Sequence, residues 1–82
     1  MQLAKESPTA ESLMRLQCTD IVNGQQMTAR VPLRRELWEG TDDAGREEWR
    51  TIVRYRFGCW VREETGVRVP DEHLDALPVT VV

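Results

Sequence analysis

From residue 14 to residue 33 apolar side chains fall on alternate positions, and the alternation folds back on itself about Asn23-Gly24. Asn-Gly is the favoured pair for a two-residue type I′ turn, where both residues take positive φ. Folding there sets Val22 opposite Gln25, Asp20 opposite Met27, Cys18 opposite Ala29, Leu16 opposite Val31 and Met14 opposite Leu33. These pairs share one face, and eight of their ten residues are apolar. The other face pairs Thr19 with Thr28 and Gln17 with Arg30. A period of two on both arms predicts an N-terminal β-hairpin over about 13–31. The competing pattern is a helix over residues 10–22 that carries Ala10, Leu13, Met14, Cys18, Ile21 and Val22 on one side and stops at Asn23-Gly24, which would make the chain all-α. The alternation sorts polar from apolar more cleanly than the helix does, and the hairpin is adopted.

Beyond the hairpin the period changes. Pro32 either ends the second arm or opens a short helix, PLRRELWE, stopped by Gly40. Thr41, Asp42 or Asp43 can cap a long helix over about 43–64, with Gly66 just past its end. At about 100° per residue, Trp49, Ile52, Val53, Phe57, Cys59 and Trp60 fall on one side of it. Gly58 weakens that helix by about 1 kcal/mol relative to Ala, so a break there, with Cys59-Trp60-Val61 extended, is an alternative. VRVPDEHLDALP predicts a short extended piece and then one or two helical turns capped by Asp71. PVTVV predicts a terminal strand that adds to the hairpin, because three strands are the smallest sheet that folds well. The expected fold is a small two-layer α+β domain: the N-terminal hairpin and a C-terminal strand packed on one long helix. Residues 1–82 form one domain, with residues 1–8 as a tail.

Composition narrows the function classes. A chain of 82 residues buries only about 60–65% of the surface its unfolded form exposes, so its core is thin. No apolar run approaches the ~18 residues that span a bilayer. MQLAKES lacks a basic start followed by an apolar stretch, so no secretory signal is read, and Cys18 and Cys59 are expected as free, buried thiols in a cytoplasmic protein. The net charge of −3 is uneven. Residues 30–62 hold eight arginines against six acids, whereas residues 63–82 hold Arg68 against five acids.

Catalytic and metal-binding patterns are missing from the sequence. His73 has no Cys or second His at metal-ligand spacing. Ser7 and Ser12 sit near the N-terminus, away from any His-Asp pairing. The neighbouring acids Asp42-Asp43, Glu47-Glu48 and Glu63-Glu64 diverge by about 100° on a helix and cannot share a proton. Gly40 and Gly45 flank acids, which would repel a phosphate. No cofactor, metal or catalytic residue is therefore assigned, and the chain is read as a non-enzyme that binds another macromolecule.

Two surfaces of the long helix compete for that role. Arg46, Arg50 and Arg54 recur every fourth residue and stack into a basic ridge, with Arg62 offset at its far end. In the plainest reading the ridge is a solvated face laced with Glu47 and Glu48; as a functional site it would contact nucleic acid, against which stands the sequence pI near 5.1. Tyr55, Arg56 and Trp60 form the second surface. Arg56 sits amid apolar positions, where it could snorkel, pair with Glu63, or face a partner protein. Trp, Tyr and Arg are the residue types enriched at protein–protein hot spots. The expectation is a regulator or inhibitor that binds another protein through Tyr55, Arg56 and Trp60, a class that includes phage and mobile-element products. A nucleic-acid-binding regulator using the arginine ridge is the alternative. No membrane partner is expected, and the sequence leaves the oligomeric state open.

Overall fold

The computed structural model describes residues 13–82; the tail expected over residues 1–8 lies outside them. The hairpin forms as the alternation requires. β1 (Leu13–Val22) and β2 (Gln25–Arg34) pair antiparallel with the expected register throughout, from Val22 opposite Gln25 to Met14 opposite Leu33. Asn23 and Gly24 take φ of 52° and 76°, the left-handed pair of a type I′ turn. On the outer face the hydroxyls of Thr19 and Thr28 lie 2.8 Å apart, and Arg30 Nε donates to Gln17 Oε1 at 2.7 Å.

Pro32 neither ends the strand nor opens a helix: β2 runs through it to Arg34, and the short helix α1 is confined to Arg35–Glu39. The reason lies in the ladder. In a two-residue hairpin the closing pair, Val22–Gln25, is hydrogen-bonded, and bonded and non-bonded pairs then alternate. Pro32 faces Arg15 in a non-bonded pair, so its missing N–H would have pointed away from β1. Arg15 accordingly turns its backbone the other way, exchanging hydrogen bonds with Val82 at 3.2 and 2.9 Å. β3 (Val79–Val81) joins on that side, and the sheet order is β2-β1-β3. β2 is thus an edge strand, where proline is tolerated.

The long helix α2 (Asp43–Thr65) starts where Asp42 accepts a hydrogen bond from the Gly45 N–H at 2.9 Å and stops at Gly66 with φ 76°. It is continuous through Gly58, so Cys59-Trp60-Val61 is helical and not extended. Gly58 is instead the point where α3 (Asp71–Ala76) seats: a Cβ there would lie 2.8 Å from Leu74 Cδ1. Asp71 does not cap α3. Pro70 holds that position, its carbonyl accepting from the N–H groups of His73 and Leu74.

Two layers enclose the core. Met14, Leu16 and Cys18 of β1 lie beneath Val53, Phe57 and Val61 of α2, with Val22, Met27, Leu33, Leu74 and Leu77 around them. Full burial of each large member contributes on the order of 1.5–3 kcal/mol. The buried stripe of α2 runs along Val53, Phe57 and Val61, not along the tryptophans. Trp49 and Trp60 flank it half-buried, Ile52 is 43% exposed and Cys59 is exposed, so only Cys18 matches the expected buried thiol.

Candidate functional site

The arginine ridge does not form a separate solvated face. On a 3.6-residue helix Arg46 and Arg50 project within about 20° of Phe57, so they continue the core stripe beyond the end of the sheet. There they meet Trp38 of α1, with guanidinium carbons 5.0 and 5.6 Å from the ring centroid. Arg46 Nε also donates to the Trp38 carbonyl at 3.0 Å. Arg54 is deeper, its side chain 12% exposed. Its Nε donates to the Leu77 carbonyl at 2.8 Å, and its Nη1 contacts Glu47 Oε2 at 2.7 Å, while Arg50 bonds the other carboxylate oxygen at 3.2 Å. Hydrogen bonds from Arg54 and then Arg50 pull the Glu47 carboxyl below its ordinary 4.5. Arg46, Arg50 and Arg54 therefore tie α1, α2 and the Leu77 loop together. Arg62 is exposed and lies apart, in a shallow depression with Arg68 between α2 and α3.

On the opposite flank of α2 a groove of about 710 Å³ separates the helix from β2. Ala29 and Val31, on the core face of β2, form its floor. Ile52, Arg56, Trp60 and Glu63 form its wall, and Tyr55 and Cys59 its rim. These wall positions recur at three- and four-residue intervals, so they are a second stripe about 100° round from Phe57. Of the helix side read from the sequence, Val53 and Phe57 are core, Ile52, Cys59 and Trp60 border this groove, and Trp49 lies outside it, half-buried against the core. All three residues expected to meet a partner, Tyr55, Arg56 and Trp60, line the groove.

Their circumstances differ. Trp60 is half-buried, with its ring edge-on to Phe57 at 6.3 Å, which fixes its orientation. Arg56 is exposed and makes no ion pair with Glu63 or any other described residue. Tyr55 already has a partner: its hydroxyl donates to Asp75 Oδ1 at 3.0 Å, fastening α2 to α3, and this bond raises its pKa above 10.0. Burial raises the Cys18 thiol, with Arg54 opposing, so it has no character of a reactive thiolate.

The outer boundary of the groove is the free edge of β2, and no described residue pairs with it. By the alternation set at the turn, Gln26, Thr28 and Arg30 direct their N–H and C=O groups outward, and Pro32 offers only its carbonyl. The sequence reading missed this edge, although a proline inside an alternating run signals an edge strand. It also missed the contact of His73 Nε2 with Asp20 Oδ2 at 2.6 Å, which joins α3 to β1.

Among the described residues no group of three His, Cys, Asp or Glu side chains could hold a metal ion, and no helix is long and apolar enough to cross a membrane. Comparison with known protein families, with curated proteins and with solved structures gives no match.

Proposed function

We propose that the protein is a non-enzymatic regulator or inhibitor that binds another protein chain in the groove between β2 and α2. One observation carries this reading. The groove places a guanidinium that pairs with no described residue, an oriented indole and exposed Ile52 beside a strand edge that no described residue pairs, while Arg46, Arg50 and Arg54 are already engaged inside the fold. An indole and an arginine at the centre of a groove are the residue types whose truncation costs most at protein interfaces.

The test compares proteins captured by the full chain with those captured by Arg56→Ala, Trp60→Ala and, as a surface control, Arg62→Ala. Nuclease-treated lysate is used in each arm. Arg56→Ala is expected to lower affinity for a captured protein by about 2 kcal/mol or more with little change in melting temperature, and Arg62→Ala to leave it unchanged. Capture that disappears with nuclease, or weakens steeply with salt, would assign the function to nucleic acid instead.

A further inference from the structure

The geometry points to a second copy of this chain as the occupant of the groove: β2 pairs antiparallel with β2 of the partner subunit about a two-fold axis at Thr28, forming a six-stranded sheet with both long helices on one face. This inference rests on the reading of the groove as a protein-docking surface and names what docks there.

The backbone selects the register. The outward-directed residues of β2 with both donor and acceptor are Gln26, Thr28 and Arg30. An axis at Thr28 sets Thr28 against Thr28 of the partner subunit and Gln26 against Arg30 of the partner subunit, so every one of these groups finds a mate. An axis at Arg30 would oppose two like charges and place Pro32, which has no N–H, in the ladder. An axis at Ala29 would set Pro32 against the Gln26 carbonyl. An axis at Gln26 would run the pairing into the Asn23-Gly24 turn.

The helix wall agrees with that axis. α2 runs antiparallel to β2, and Trp60 lies level with Thr28, since both line the main groove and also its continuation towards Gln25 and Thr65. Along the helix Arg56 stands about 6 Å to one side of Trp60 and Glu63 about 4.5 Å to the other. A two-fold axis at this level exchanges the two sides and brings Arg56 opposite Glu63 of the partner subunit, twice per dimer. The groove is thus self-complementary in charge as well as in hydrogen bonding, as an isologous interface requires. Ten residues is long for an edge strand that no described residue pairs, and pairing with a second copy covers that edge.

Sedimentation equilibrium of the full chain over a dilution series tests this. The expected result is a reversible species of twice the 9.5 kDa chain mass. Thr28→Pro removes the donor at the axis without touching the ladder to β1, as Pro32 does in the same strand, and should yield a monomer with unchanged circular dichroism. Arg56→Glu and Glu63→Arg should each raise the dimer Kd about tenfold or more, and the two together should restore it to within a few-fold, because exchanging the charges recreates both contacts. Cys59 offers a second readout: it is the exposed thiol near the axis, whereas Cys18 is buried, so a short bis-maleimide should link two wild-type chains and fail with Thr28→Pro. A chain that stays monomeric at all concentrations overturns the inference; if Arg56→Ala still abolishes capture of another protein, the groove reading survives without it. A dimer indifferent to Thr28→Pro and to both charge reversals overturns the interface. A monomer that dimerises only after residues 1–12 are removed overturns it in favour of that segment as the occupant.

Discussion

At Gly58 two physical terms oppose each other, and Gly58→Ala measures their difference. In an open helix the change would stabilise by about 1 kcal/mol, through backbone entropy. Here the new Cβ would lie 2.8 Å from Leu74 Cδ1 and 3.3 Å from Cδ2, inside ordinary carbon contact. Leu74 is 4% exposed and belongs to the core cluster, so moving its isobutyl group aside disturbs neighbours that are themselves buried. Inserting a methyl group into such a site costs roughly 1–3 kcal/mol. Crowding offsets or outweighs propensity, and Gly58→Ala should destabilise by about 0–2 kcal/mol. In a Leu74→Ala background, itself costing on the order of 2–5 kcal/mol, the obstruction is gone. The same Gly58→Ala should there stabilise by about 1 kcal/mol. Urea unfolding of all four proteins, followed by tryptophan fluorescence and circular dichroism, closes the cycle. A stabilising osmolyte at fixed concentration keeps the weaker variants folded in buffer. If Gly58→Ala stabilises the wild type by about 1 kcal/mol, Leu74 moves at no cost and α3 is not seated on the helix as described.

At Gly24 the φ of 76° has nothing within 4 Å of an added Cβ, so Gly24→Ala should cost only the left-handed backbone term, about 1–2 kcal/mol, and a larger loss in urea unfolding would mean that the turn has hidden contacts. Glu47, whose carboxyl is held below 4.5, stabilises the fold above that pH and loses its contribution as pH falls through the depressed folded value. The melting-temperature difference between wild type and Glu47→Gln should therefore be present near neutrality and shrink on acidification; a difference that grows on acidification would contradict the Arg54–Glu47–Arg50 cluster.

The hairpin was legible because its determinants are local. Asn23-Gly24 needs only its own φ preferences to turn the chain, and once the turn is set the period of two dictates every pair from Val22–Gln25 to Met14–Leu33. The limits of α2 were legible for the same reason, since Asp42 and Gly66 act within one turn of themselves. What the sequence could not rank was two adjacent apolar stripes on one helix. Periodicity marks both Val53-Phe57-Val61 and Trp49-Ile52-Trp60, but which one is buried depends on how the helix is set on the sheet, where Val53, Phe57 and Val61 join Met14, Leu16 and Cys18 in one buried cluster. The pairing of Glu47 with Arg50 is local to the helix and follows from its spacing, whereas tertiary contact decided that Arg46, Arg50 and Arg54 also serve Trp38 and Leu77, which lie on elements whose placement no local rule specifies. The groove follows from that same rotation of the helix: the sequence could single out Tyr55, Arg56 and Trp60 by type, but only packing Val53, Phe57 and Val61 downward turns their stripe towards the open edge of β2.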